Sequence, residues 1–240
     1  MNLTPPLFDP PPGYARVKVV GSFAELVSTP FGAGVNALCW PRALTGDFTA
    51  VVAQLAARED ITTLDDATLR ALPLEAAGRA AVAILIADQE RLRAHGLAPV
   101  LDCIRCYPRD EEPGVVPTDV YSFHADSATV ETDTYLCSYT EAASEGLRNE
   151  EARRWVDLPE IRAQLLQAHG GPDDASFLEY LHDQCYDLHY APVPGARPFG
   201  FGLGNLWRIA VDYPGSPVPP CVHRAPETIP GRPPRLLLIS

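Results

Sequence analysis

The stretch Val120-Tyr-Ser-Phe-His-Ala-Asp126 decides which fold the sequence predicts. Its first four residues are mainly β-branched or aromatic, which favours a β-strand. In a strand, residues two positions apart lie on the same face, so His124 and Asp126 would share one face of a sheet. We therefore predict a strand over residues 120–123 that leads directly into this pair.

Two later segments complete the pattern. Residues 221–223 predict a strand that carries His223, and Arg235 begins the apolar segment 235–239. Two imidazoles and one carboxylate suit Fe(II) and leave open positions for a 2-oxo acid and O2. An arginine can hold the carboxylate of such an acid with a two-pronged salt bridge. We expect His124, Asp126 and His223 to be catalytic metal ligands and Arg235 to anchor the acid.

Other interpretations of these residues stay open. Arg232 is the alternative anchor, although its glycine and proline neighbours predict a loop. A histidine two positions before an acid is common: 6 His and 31 acids in 240 residues give about 0.8 such pairs by chance (6 × 31/240). The alternative is that His124 and His223 are ordinary partly buried histidines and that Arg235 is a solvated strand end.

Composition bounds the class of protein. The 240 residues, 46% hydrophobic and 21% charged, are typical of a globular chain with a substantial core. The net charge of −12 argues against nucleic acid, because phosphates would be repelled and the basic residues are scattered. No apolar run is long enough for a membrane span, and the start lacks the features of a signal peptide. We expect a cytoplasmic protein without membrane or nucleic-acid partners.

The first 98 residues predict a mostly helical region after a Pro- and Gly-rich lead-in over residues 1–35. Apolar residues at helical spacing follow Gly46-Asp47, a plausible cap. Further helices are predicted from about residue 63 and over residues 74–94, the last closed by His95-Gly96.

Residues 99–240 predict short strands with a helical insertion. Strands are expected over residues 100–107, 129–139, 206–211 and 235–239. Helices are expected over residues 159–188, followed by a Pro/Gly loop over 191–202, and these two segments are the expected substrate contacts. The sum is an α+β fold, one compact unit, in which N-terminal helices pack on a double-stranded β-helix, a cupin-like jelly roll.

The cysteines and the remaining histidines carry weaker signals. Cys103 and Cys106 have the spacing of a metal or redox pair, but residues three apart in a strand point to opposite faces. We therefore favour a structural role for both. The other histidines lie on or just beyond predicted helices, without a clear ligand partner: His95, His169, His182 and His189.

Several segments occur in the order found in one bacterial family. They are Asn36-Ala-Leu-Cys-Trp-Pro-Arg42, Phe123-His-Ala-Asp126, Tyr135-Leu-Cys-Ser-Tyr139, Ser144-Glu-Gly-Leu147, Val222-His-Arg-Ala-Pro226 and Arg235-Leu-Leu-Leu238. On these segments the chain resembles the DUF1826 family, whose function is poorly defined, from about residue 35 onward. The His-x-Asp, His-Arg-x-Pro and Arg-Leu-Leu-Leu motifs are the more specific parts.

The C-terminal half also resembles the Fe(II)/2-oxoglutarate-dependent oxygenases, which share a His-x-Asp motif, a distal His and a later Arg. The resemblance implies Fe(II), 2-oxoglutarate and O2, acting on a small-molecule or peptide substrate. Because Asp126 fills the third ligand position, hydroxylation, desaturation or ring closure is expected rather than halogenation.

Two other functions stay open. One is a cupin-like dioxygenase or isomerase that binds its substrate directly to the metal, without 2-oxoglutarate. The other is a non-catalytic metal-binding protein, in which the acidic stretches 110–112 and 131–133 and the cysteines would handle zinc.

Overall fold

The computed structural model describes residue 8 and residues 10–55, 60–109, 114–140, 142–229 and 231–240. The α-helices within these ranges are Phe23–Ser28 (α1), Phe48–Gln54 (α2), Asp66–Ala71 (α3), Ala76–Ala94 (α4), Pro159–His169 (α5) and Ala175–Asp183 (α6). The strands are Val17–Val19 (β1), Ala37–Trp40 (β2), Ile61–Thr63 (β3), Val100–Ile104 (β4), Phe123–His124 (β5), Asp133–Ser138 (β6), Glu145–Gly146 (β7), Ala152–Arg154 (β8), His189–Pro192 (β9), Phe199–Gly200 (β10), Leu206–Ala210 (β11), His223–Arg224 (β12) and Arg235–Ile239 (β13).

The strands form two sheets in a mixed α/β fold. The seven-stranded sheet has the order β1-β2-β11-β6-β13-β4-β3, and the six-stranded sheet has the order β10-β7-β12-β5-β9-β8. All pairs are antiparallel except β1 with β2. Among the described residues no strand belongs to both sheets, so the strands do not close into one barrel. The region before residue 99 supplies β1, β2 and β3 as well as helices.

The two faces of the seven-stranded sheet pack against different partners. On β13, Leu236 and Leu238 belong to a core cluster that includes Val51 of α2 and Leu85 of α4. Leu237, between them, belongs to a second cluster with Phe201 and other residues next to the six-stranded sheet. Side chains alternate along a strand, so Arg235 lies on the face of Leu237, toward the second sheet.

The six-stranded sheet aligns five residues in one row. His189, His124, His223, Gly146 and Phe199 stand directly opposite one another in successive pairs of β9, β5, β12, β7 and β10. Directly paired residues of antiparallel strands project to the same side of a sheet. The row therefore places three imidazoles side by side.

The predicted N-terminal helices are confirmed. Asp47 caps α2 by accepting a hydrogen bond from the backbone N–H of Ala50 at 2.9 Å. The helix predicted from about residue 63 is α3, which begins at residue 66. Helix α4 begins two residues later than predicted and ends at Ala94, with His95 as its C-cap and Gly96 following at φ +84°. The apolar face predicted for α2 includes Ala56, which lies outside the described residues.

The predicted strand over residues 120–123 is wrong except at its final residue. The Asp119 carboxylate accepts hydrogen bonds from the backbone N–H groups of Tyr121 and Ser122 at 3.0 and 3.1 Å. This side-chain turn competes with strand pairing, so the strand begins only at Phe123.

The second half follows the prediction with shifted boundaries. Helices α5 and α6 form the predicted insertion, interrupted at Gly170, which has φ +72°. The predicted loop over residues 191–202 is wrong in part, because it holds the end of β9 and all of β10. Four predicted strands are shorter or displaced: β4 ends at residue 104, β6 covers 133–138, β11 ends at residue 210 and β12 covers 223–224. No described helix is long and apolar enough to cross a membrane.

Candidate metal centre and buried arginine

His124, Asp126 and His223 come together although they are far apart in sequence. Asp126 Oδ1 lies 3.9 Å from His124 Nε2 and 3.8 Å from His223 Nε2. One donor atom from each residue lies within 4.8 Å of the others. The Asp126 side chain is 31% exposed, so the group can be reached from solvent. The structure therefore places these three predicted residues as a group that could hold a metal ion.

Backbone carbonyls orient both imidazoles. His124 Nδ1 lies 2.8 Å from the Ser122 carbonyl, and His223 Nδ1 lies 3.3 Å from the Cys221 carbonyl. A carbonyl can only accept, so each Nδ1 carries the proton and each Nε2 keeps its lone pair. Nε2 is therefore the atom that each ring could offer to a metal.

The two Asp126 oxygens have different surroundings. Oδ2 accepts a hydrogen bond from the Thr134 hydroxyl at 2.6 Å, while Oδ1 faces the imidazoles. Burial alone would raise the pKa of the Asp126 carboxyl, but His223, Thr134 and His124 together hold the pKa below its ordinary value. Asp126 is therefore an ionised donor whose orientation is fixed by Thr134.

The imidazole of His124 is neutral at physiological pH. Burial, reinforced by the neighbouring ring of His223, lowers the pKa of His124 to about 4. Metal binding requires a neutral imidazole, so few protons compete for Nε2 near pH 7.

Aromatic side chains cover the sheet next to His223. The residue opposite His223 is Gly146, and a Cβ there would come within 2.4 Å of the Phe199 ring and 2.8 Å of the Phe201 ring. The glycine lets both rings pack against the backbone, and the Phe201 ring centroid lies 6.4 Å from that of His223. These rings close one side of the centre with an apolar wall.

Arg235 is buried, which excludes the alternative of a solvated strand end. Its side chain donates to Tyr107 Oη at 3.1 Å, to Ser138 Oγ at 3.0 Å and to Ser144 Oγ at 2.6 Å. Its Nε has no hydrogen-bond partner, and among the described residues no carboxylate pairs with it. Burial lowers the pKa of Arg235, although the neighbouring Tyr107 opposes this shift. A buried guanidinium that is held by hydroxyls and has no carboxylate partner among the described residues is suited to receive a carboxylate.

A cavity of about 300 Å³ reaches Arg235. Its walls include Ile104, Leu203 and Ile229, with Arg232 exposed at its edge. None of the three metal-group residues lines this cavity. The structure thus brings both candidate anchors to one cavity, which the metal-group residues do not line.

Strand β7 links the arginine to the metal group. Ser144, which accepts from Arg235, lies two residues before Gly146, the partner of His223. Two extended residues span about 7 Å and neighbouring strands lie about 4.8 Å apart. Together the two steps put the backbone of Ser144 about 8–9 Å from that of His223.

Sequence reasoning missed four residues around the two sites. His189 was assigned to a segment just after a helix, but it opens β9 opposite His124. Strand β9 overlaps the segment 191–202, whose proline and glycine residues predict a loop, so the sequence pattern did not indicate a strand at His189. Tyr107, Ser138 and Ser144, which hold Arg235, were not singled out either. Both serines lie within segments that carry the family resemblance, and that was the available signal.

The residues expected to be unimportant for metal binding stay outside the group. Cys103 packs in the helix-facing core, while Cys106 lies beside Asp60, and both are free thiols. In the described part of the chain the one group with metal-binding spacing contains no cysteine. Of the two acidic stretches, residues 110–112 lie outside the described residues, and Asp133 pairs with Arg208 at 2.6 Å.

No protein-family model, curated protein or solved structure matches the chain. The resemblance to the DUF1826 family and to the oxygenases stays a prediction from the motifs quoted above.

Proposed function

We propose that this chain is an Fe(II)- and 2-oxoglutarate-dependent oxygenase that hydroxylates, desaturates or cyclises a small molecule or peptide. One observation carries the proposal: a His-Asp-His group lies near a buried arginine that has no carboxylate partner among the described residues. A 2-oxo dicarboxylic acid would serve both sites at once. Its 2-oxo acid end can chelate the metal, and its distal carboxylate can pair with Arg235.

We further propose that eight of the strands form a jelly roll. Strands β4, β13, β6 and β11 are neighbours in one sheet, and β5, β12, β7 and β10 are neighbours in the other. From β4 to β7 and again from β10 to β13 the chain alternates between the two sheets. This alternation is the connectivity of two Greek keys, and it supports the finer fold predicted from the sequence.

The donor set fits Fe(II). Donors about 2.1 Å from one metal and at right angles to each other lie about 3.0 Å apart, and the distances from Asp126 Oδ1 to the two imidazoles, 3.9 and 3.8 Å, come within about 1 Å of this value. Two imidazoles and a carboxylate on one side of an octahedral ion leave three positions open. When bound, Fe(II) with 2-oxoglutarate and O2 supplies the oxidising power to attack an unactivated C–H bond.

The chain's own residues then have defined tasks. Thr134 holds Asp126, and the two backbone carbonyls hold the imidazoles, so the donors are oriented before the metal arrives. Arg235 orients the 2-oxo acid by binding its distal carboxylate. Asp126 keeps the third protein position filled, which favours hydroxylation over halogenation.

The test is anaerobic titration of the purified protein with Fe(II) and 2-oxoglutarate. The expected result is a visible metal-to-ligand charge-transfer band that His223→Ala abolishes. His182→Ala is the matched control, because His182 lies on α6 and pairs with Asp187 at 3.1 Å, outside the group. Absence of the band in the parent protein, or its persistence in His223→Ala, would contradict the proposal.

A second candidate is a cupin-like dioxygenase or isomerase without 2-oxoglutarate. It is favoured by the finding that none of the metal-group residues lines the cavity at Arg235. Such an enzyme binds its substrate directly to the metal. It would consume O2 without forming succinate, or isomerise without O2, and Arg235→Met would barely change its rate.

A further inference from the structure

Thr134 connects the candidate metal centre to the other sheet. It lies on β6 in the seven-stranded sheet, whereas Asp126 follows β5 of the six-stranded sheet. The Thr134 hydroxyl lies 2.6 Å from Asp126 Oδ2. An ionised carboxylate carries no proton, so the hydroxyl donates and Oδ2 accepts. This hydrogen bond joins one oxygen of a candidate metal ligand to a strand of the other sheet.

The main chains on both sides of this hydrogen bond are held in place. Thr134 is paired directly with Ile209, and β6 is an interior strand of its sheet. The backbone carbonyl of Asp126 accepts a hydrogen bond from the N–H of Asp212 at 2.7 Å. Threonine is β-branched, so its hydroxyl has few directions available in a strand. The orientation of the Asp126 carboxylate is therefore restricted by a donor that is itself restricted.

The two oxygens of Asp126 consequently have separate tasks. Oδ1 lies 3.9 Å from His124 Nε2 and 3.8 Å from His223 Nε2, where a metal ion would bind. A carboxylate can bind a metal through one oxygen or through both. Turning Oδ2 onto the metal as well would break its hydrogen bond with Thr134. A hydrogen bond to a charged group shifts such an equilibrium by about tenfold to a hundredfold.

The number of bound carboxylate oxygens decides how many metal positions stay open. On a six-coordinate ion, two imidazoles and one carboxylate oxygen leave three positions, whereas two imidazoles and two carboxylate oxygens leave two. A chelating ligand fills two positions. A further small ligand can therefore bind beside the chelate, without displacing a protein atom, only if Asp126 binds through one oxygen.

We infer that Thr134 is a positioning residue that restricts Asp126 to binding a metal through Oδ1 alone. A position beside a bound chelate is thereby kept open for a small ligand such as O2 or azide. The inference rests on the proposed metal centre and deepens it. A hydrogen bond between the sheets that served stability alone would not change how many ligands the metal accepts.

Crystal structures of the Co(II)-loaded parent protein and of two variants test the inference directly. Bound carboxylate oxygens lie about 2.0–2.2 Å from such an ion. We expect one Asp126 oxygen at this distance in the parent protein and in Thr134→Ser, which keeps the hydroxyl. Thr134→Val has nearly the same shape without the donor, and both oxygens should bind in it. Two bound oxygens in the parent protein, or one in Thr134→Val, would overturn the inference.

A binding experiment in solution measures the same difference. The Co(II) protein is saturated with acetohydroxamic acid, a chelating probe, and azide is titrated while the visible Co(II) absorption is recorded. The azide dissociation constant should rise by about tenfold or more in Thr134→Val, because azide must then displace Oδ2. It should stay within about twofold of the parent value in Thr134→Ser. If Thr134→Val does not fold, Thr134→Ala takes its place with the same expected rise.

Thr63→Val is the matched control. Thr63 also donates to an aspartate, Asp102, at 2.6 Å, but it does so between β3 and β4 and outside the metal group. The azide dissociation constant of Thr63→Val should equal that of the parent protein.

The outcomes distinguish the role of Thr134 from the proposed function. An unchanged azide constant in a folded, Co(II)-binding variant without the Thr134 hydroxyl would overturn that role and leave the metal centre intact. Failure of the parent protein to bind Co(II) would overturn the metal centre itself.

Discussion

Two arginines, Arg42 and Arg235, are buried on opposite faces of the seven-stranded sheet, with different partners. Arg42 donates to both oxygens of Asp88 at 2.7 Å, and Asp88 also accepts from Tyr139. Arg235 has three hydroxyl partners, an Nε without one and no carboxylate among the described residues. The first arginine is neutralised within the fold, while the second lines a cavity and has no carboxylate partner in the part of the chain that the structure describes. The contrast separates a structural ion pair from the proposed binding site.

The largest effect on stability should come from breaking the ion pair between Arg42 and Asp88. Arg42→Met leaves Asp88, which is fully buried, with the half-exposed Arg91 as its remaining cation at 2.6 Å. We expect the free energy of unfolding to fall by about 3 kcal/mol, the lower end of the cost of breaking a buried ion pair, because Arg91 still pairs with the carboxylate. Urea unfolding measures it, with Arg70→Met as the control, because Arg70 makes an exposed pair with Asp66. A loss below about 1 kcal/mol would mean that the pair is not what stabilises this face.

The second-largest effect should be the stabilisation of the fold by 2-oxoglutarate, whose carboxylate would pair with Arg235. In the presence of Fe(II) and without oxygen, 2-oxoglutarate at 100 times its dissociation constant should raise the free energy of unfolding by about 2.7 kcal/mol. The increment should persist in Arg70→Met and be strongly reduced in Arg235→Met at the same concentration. Equal stabilisation of Arg235→Met would show that the acid binds elsewhere.

Without the acid, Arg235→Met should be much milder than the same substitution at Arg42. No carboxylate among the described residues is left unpaired, and the methionine fills a similar volume, so we expect a change within about 1 kcal/mol in either direction. Urea unfolding of the two methionine variants under identical conditions makes the comparison. A loss as large as that of Arg42→Met would remove the distinction between the two sites.

The smallest effect is expected at the alternative anchor. Arg232 is exposed at the edge of the cavity, whereas Arg235 is buried in it. Arg232→Ala should change stability by less than about 0.5 kcal/mol and the 2-oxoglutarate dissociation constant by about twofold at most. Isothermal titration calorimetry of Arg232→Ala and Arg235→Met measures the 2-oxoglutarate dissociation constant of each variant. A larger loss of affinity in Arg232→Ala would show that Arg232 is the anchor.

Elements with long periodic patterns could be predicted from the sequence, and elements defined by pairing could not. Helix α4 has enough turns to show its apolar spacing, and α2 carries a recognisable aspartate cap. Strands β5 and β12 are two residues long and have no period to detect. Their existence depends on partners about a hundred residues away, since β5 pairs with β12.

The residues of the candidate site also fall into two sets: those that the motifs predict and those whose position depends on strand pairing. The motifs sufficed to predict the meeting of His124, Asp126 and His223, because each residue type is a familiar metal donor. His189 could not be predicted as their neighbour, since that required knowing the register of β9 on β5. The hydroxyl cradle of Arg235 was equally hidden, because hydroxyl residues are common and only their convergence is informative.

The pairing of His223 with His124 constrains when the centre can form. The two residues are separated by 99 positions (223 − 124), and β12 lies between β5 and β7 in the sheet. A chain growing from its N-terminus therefore lacks its third donor, and an interior strand of each sheet, until β12 and β13 have been synthesised. A metal held by all three donors could bind only after β12 had been inserted between β5 and β7.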